Sequence, residues 1–117
     1  MGLQIKVEGV AELGQGETRT FSYPSKYGDL QGFVILWNGE FHAYENKCRH
    51  WPIPLDFGDG EFYYAKYERI VCKTHGAEYD PATGICDAGP CRGEALMRFP
   101  LILQGQDAIV TVPDPIL

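Results

Sequence analysis

The chain has 117 residues, enough for one domain with a buried core and too few for a second catalytic domain. Its 44% hydrophobic and 22% charged residues exclude wholesale disorder, and 10 Lys and Arg against 16 Asp and Glu give a net charge of −6, which repels nucleic acid and anionic bilayers. The longest uninterrupted apolar run, Phe33 to Trp37, is five residues, against about 20 for a spanning helix and about 7 to 15 for a signal-peptide core, so neither is expected and the cytoplasm is the expected location.

Fourteen glycines and eight prolines punctuate the chain, and no stretch sustains a helical apolar period, so the expected texture is all-β. In chain order, the pattern predicts a strand over Gln4–Val7, one helical turn over Val10–Leu13 and a strand over Arg19–Tyr23. A hairpin follows over Gly32–Glu45, where Asn38-Gly39 tolerates the positive φ angles of a type I′ turn between two apolar runs. Short strands are expected at Tyr63–Tyr67, Arg69–Cys72 and Ala77–Tyr79. A second hairpin, Leu101–Leu103 with Ala108–Val112, is ended by Pro113 and Pro115. There is no repeat or linker, so residues 1–117 are read as a single domain, a small antiparallel sandwich or barrel.

With no signal-peptide core expected, four cysteines point to metal or redox chemistry before a disulfide framework. Cys48-Arg49-His50 and Cys72-Lys73-Thr74-His75 stand out, each placed where a strand should give way to a loop. Thiolate sulfur and neutral imidazole suit zinc or an iron–sulfur centre and disfavour calcium and magnesium. Zinc fingers usually pair like with like, whereas here each loop supplies one Cys and one His, which suits a two-metal centre better than one tetrahedral ion; a single zinc stays open.

Cys-x-His, then Cys-x-x-His-Gly ending at Gly76, then Tyr79-Asp80-x-x-Thr83-Gly84 and a Gly89-Pro90 turn, resembles the Rieske iron–sulfur proteins over roughly residues 32 to 112. The resemblance implies an antiparallel β-sandwich with a small cluster-binding subdomain at about residues 47–92. It implies one [2Fe-2S] cluster, with Cys48 and Cys72 on one iron and His50 and His75 on the other, and with Trp51, Gly76, Ala77, Tyr79, Gly89 and Pro90 around it. Two ferric ions, two sulfides and two thiolates sum to a neutral oxidised site, which takes an electron more readily than an all-Cys site.

The departures from the family pattern are informative. Respiratory members brace the loops with a disulfide from positions that are Ile53 and Thr74 here, so the chain resembles the soluble ferredoxins more closely. The hydroxyl two residues after the second His is replaced by Ala77, while the phenol at Tyr79 is kept. The lower half of the Rieske range of about −150 to +300 mV is therefore expected.

With three histidines in the chain, only His42 remains after the two candidate ligands, too few for a mononuclear iron site of two His and a carboxylate. No nucleotide fingerprint or hydrolytic triad is present either. The expectation is a ferredoxin-like one-electron carrier between a reductase donor and an oxygenase or reductase acceptor, not an enzyme by itself. The alternatives are a fixed small subunit of such a complex or, from another class, a zinc-stabilised binding module.

Of the other residues, Cys86 and Cys91, in the segment that covers the cluster in the family the chain resembles, read as buried free thiols, as a pair or as guards of the cluster, and His42 as a surface or interface histidine. Trp51, with Pro52 and Pro54, shields the cluster or simply packs. Lys47, Arg49 and Lys73 form a cationic collar for an acidic partner or are scattered solvated charges.

Overall fold

Two strands carry the architecture, β3 (Gly28–Trp37) and β4 (Glu40–Glu45), joined through Asn38 and Gly39 at φ 50° and 80° as the type I′ turn requires. The structure, a computed structural model, describes residues 2–26, 28–47, 55, 62–64, 68–72, 76–89 and 92–113. In chain order the other elements are β1 (Leu3–Val7), a 3₁₀ turn (Val10–Glu12), β2 (Thr18–Ser25), β5 (Tyr63–Tyr64), β6 (Arg69–Val71), β7 (Glu78–Tyr79), β8 (Cys86–Ala88), β9 (Arg98–Phe99), β10 (Leu101–Gln104) and β11 (Asp107–Val112). The described strands form three antiparallel sheets, ordered β1-β11-β10, β2-β3-β4-β9 and β5-β6-β7-β8.

β3 is buried on both faces over Gly32–Ile35, which explains why the run beginning at Phe33 is continuously apolar and not alternating. Val34 and its cross-strand partner Ala43 face a core completed by Val7, Phe21, Phe99, Ala108, Val110 and Val112. Phe33, Ile35 and Tyr44 point the other way, into a second core with Leu55, Phe62, Ile70, Cys72, Ala77 and Tyr79. The Phe33 and Phe62 rings stack with centroids 4.1 Å apart, fastening β5 to the middle sheet; such pairs contribute about 0.5–1.5 kcal/mol beyond burial. On the opposite face Phe21 lies over Gly32, where a Cβ would come within 2.5 Å of the ring.

The all-β sandwich and both hairpins agree with the sequence reading, and the turn after β1 is the expected helical turn in 3₁₀ form. β2 and β3 extend further than predicted, through Pro24 paired with Asp29; Pro24 is tolerated because β2 is the edge of its sheet. β8 and β9 were not legible in the pattern, being three and two residues long and lacking alternation. Of the strand expected over Tyr63–Tyr67, β5 accounts for Tyr63 and Tyr64, and residues 65–67 lie outside the described residues. The third sheet, β5 to β8, falls inside the 47–92 stretch.

Candidate metal centre

Of the four candidate ligands the structure describes Cys72; Cys48, His50 and His75 lie outside the described residues, as do Trp51 and Pro90. Among the described residues no group of three or more His, Cys, Asp or Glu is poised around a metal ion. Cys72 follows β6 directly and is fully buried in the core that also holds Leu55, Ile70, Ala77 and Tyr79.

The register Ile70↔Tyr79 and Val71↔Glu78 makes residues 72–77 the loop of the β6–β7 hairpin. Two backbone hydrogen bonds close it: Cys72 N–H donates to Ala77 O at 2.8 Å, and Gly76 N–H donates to Cys72 O at 2.8 Å. His75 lies in the sequence between Cys72 and Gly76, outside the described residues. A thiol brought into an apolar core at the end of a strand, within a set of two Cys and two His, fits a soft or borderline metal centre.

A second loop rests on the first. Gly89 has φ 97°, and a Cβ there would lie 2.7 Å from Ala77 Cα and 3.2 Å from Gly76 O. The loop's base is fixed by Gly93 N–H to Cys86 O (3.0 Å) and Cys86 N–H to Glu94 O (2.7 Å). Cys86 is buried as expected, its Sγ 3.2 Å from Ala88 O, while Cys91 lies outside the described residues. Ala77 and Tyr79 are fully buried and Gly76 is exposed. Lys47 is exposed; Arg49 and Lys73 lie outside the described residues.

The Asp80–Gly84 segment forms the turn between β7 and β8. Asp80 Oδ1 accepts from Ala82 N–H at 2.8 Å, and Gly84 N–H donates to Asp80 O at 2.7 Å. Two residues of the middle sheet hold this turn: Tyr44 donates its buried hydroxyl to Pro81 O at 2.8 Å, and Arg98 donates to Ala82 O at 2.8 Å. Burial pushes the Tyr44 phenol up to about 12, keeping it a donor at neutral pH.

His42 is not at the surface but buried, because both faces of β4 are covered and its side of the strand is shared with Tyr44 and Arg98. Arg98 donates to His42 Nδ1 at 2.8 Å, which places the neutral ring's proton on Nε2, an atom without a partner among the described residues. Burial, and then the Arg98 guanidinium, hold the His42 pKa below the ordinary histidine value. The folded state therefore prefers neutral His42, and its contribution is full above about pH 6.5 and lost as pH falls through the folded pKa. His42→Gln keeps an acceptor for Arg98 and does not titrate, so its denaturation free energy is expected to fall less than wild type between pH 7 and pH 5. Equal losses in both proteins would remove His42 from the acid sensitivity.

Sequence reasoning missed Asn46, Arg98 and the inward position of His42. Asn46 carried a local signal, an Asn at the end of a strand two residues before Cys48.

The Rieske [2Fe-2S] domain family model matches residues 4–109. The fold is similar to the ferredoxin of carbazole 1,9a-dioxygenase from Nocardioides aromaticivorans IC177, with TM-score 0.69, 22% identity, and coverage of 95% of this chain and 98% of that one. It is also similar to a chain of the complex of reduced oxygenase and oxidized ferredoxin in carbazole 1,9a-dioxygenase (TM-score 0.71, 22% identity, 97% of both chains). A third likeness is to the terminal oxygenase of carbazole 1,9a-dioxygenase from Novosphingobium sp. KA1 (TM-score 0.73, 21% identity), covering 95% of this chain and 30% of that one. No curated protein matches the sequence. Among the described residues no helix is long and apolar enough to cross a membrane.

Proposed function

Because the chain belongs to the Rieske [2Fe-2S] domain family, we propose that it is a one-electron carrier that takes electrons from a reductase and delivers them to an oxygenase. Its cluster is held by Cys48, His50, Cys72 and His75 in a single domain. The observation that carries this reading is the placement of Cys72, buried beside Ala77 at the mouth of a hairpin loop closed by two backbone hydrogen bonds, within a domain of that family. When bound, the cluster supplies a one-electron couple from a formally neutral oxidised state.

The chain's own residues do the rest. The backbone bonds from Cys72 to Ala77 and from Gly76 to Cys72 fix the place of Cys72, the Gly89 loop covers the backbone at Gly76 and Ala77, and Tyr79, Leu55 and Phe62 exclude water from the side facing the core. The proposed acceptor follows from the ferredoxin and oxygenase relatives, which share this fold. A cytoplasmic carrier that acts on no substrate itself is the form of the reading we favour. It is tested by stoichiometric reduction: one electron per chain, followed optically, with a midpoint in the lower half of the interval of about −150 to +300 mV.

Ala77 sets that position, since its buried methyl offers no hydrogen bond. Ala77→Ser is expected to raise the midpoint by about 60 mV, the shift that one charge-assisted hydrogen bond of about 1.4 kcal/mol gives for a single electron. A wild-type midpoint above about +200 mV, or no shift in the variant, contradicts this role.

A further inference from the structure

Asn46 follows β4 directly and is one of two polar side chains buried among the described residues. Its backbone N–H donates to Gln31 O at 2.9 Å, and its side-chain Nδ2 donates to Gln31 Oε1 at 2.6 Å. Its Oδ1 accepts from Leu55 N–H at 2.7 Å, across nine residues of sequence. Leu55 is fully buried in the same core as Cys72. The donor bond to Gln31 fixes which way the amide faces, so the acceptor oxygen is turned to the Leu55 amide.

One side chain thus ties the exit of the middle sheet to Leu55 of the second core. Cys48 and His50 lie in the sequence between those two points. Pinning both ends restricts the conformations open to the intervening segment, and a buried amide without its acceptor is strongly disfavoured.

We infer that Asn46 is the positioning residue of the first ligand-bearing segment, setting the place of Cys48 and His50 relative to Cys72 through its bond to Leu55. The inference rests on the proposed ligand role of Cys48 and His50.

Three variants of the full chain test it. Asn46→Leu removes both polar atoms while keeping a similarly branched side chain. Asn46→Asp keeps an acceptor for Leu55, and the exposed Gln31 amide can rotate to donate to the other carboxylate oxygen. Gln31→Ala removes only the orienting partner of the side chain. Iron release to a chelator, followed by visible bleaching, is expected to quicken about tenfold in Asn46→Leu, about threefold in Gln31→Ala and less than about twofold in Asn46→Asp.

The nitrogen hyperfine pattern of the reduced protein should broaden in Asn46→Leu and be restored in Asn46→Asp. Hydrogen exchange of the Leu55 amide, a readout independent of bound iron, should accelerate in Asn46→Leu alone among the Asn46 variants. Wild-type exchange and bleaching in Asn46→Leu would overturn the inference, as would equal damage in Asn46→Asp. A wild-type protein without nitrogen-coupled iron would instead overturn the ligand reading, and Leu55 exchange would still decide on Asn46.

Discussion

Replacing His50 and His75 together by serine is expected to abolish the bound cluster, leaving less than about a tenth of the wild-type iron and acid-labile sulfide per chain. Neutral imidazole supplies a donor that a hydroxyl does not match for iron of this softness. Metal binding would also contribute to folding if the proposed cluster joins the ligand segments, so the melting temperature should drop by several degrees. Cys72→Ser should behave similarly, for it places a hydroxyl in a fully buried apolar site. His42→Gln is the control that keeps iron, since His42 is engaged by Arg98 on the middle sheet. Intact iron and one-electron reduction in the double histidine variant would rule out the ligand set.

Gly89→Ala is expected to have the next largest effect. The added methyl would stand 2.7 Å from Ala77 Cα, a backbone atom that cannot swing aside, at φ 97° where side chains are rarely accommodated. The covering loop must then lift from the Cys72–Ala77 turn, at a cost of about 2–3 kcal/mol. Chemical denaturation reads that cost as a lower midpoint, and chelator bleaching reads the exposed turn as faster loss of iron. Gly93→Ala supplies the comparison, because a Cβ there meets nothing within 4 Å while φ is also positive, at 93°. If both substitutions destabilise alike, backbone strain explains the loss and contact with Ala77 does not.

The features legible in the sequence were local ones. The Asn38-Gly39 hairpin is written in adjacent residues, and the donor types and spacing of Cys-x-His and Cys-x-x-His are what motivate the proposed ligand set. The unread features depend on residues distant in the chain. Pairing of Ala43 and Tyr44 with Phe99 and Arg98 brings Arg98 onto the His42 side of β4, and nothing near His42 in sequence says so. The bond from Asn46 to Leu55 spans a stretch with no periodic pattern, and β8 is too short to alternate. Burial of β3 on two sides over Gly32–Ile35 also accounts for the unbroken run that begins at Phe33, which by itself fits a buried strand or a helical segment equally well.

The most direct measurement is electron paramagnetic resonance with electron–nuclear double resonance on the purified, reduced, full-length chain, alongside iron, zinc and sulfide analysis. Two irons and two sulfides per chain, one unpaired spin and coupling to two imidazole nitrogens are predicted. A colourless protein holding one zinc and no sulfide, or a cluster whose spin couples to no nitrogen, would contradict the account.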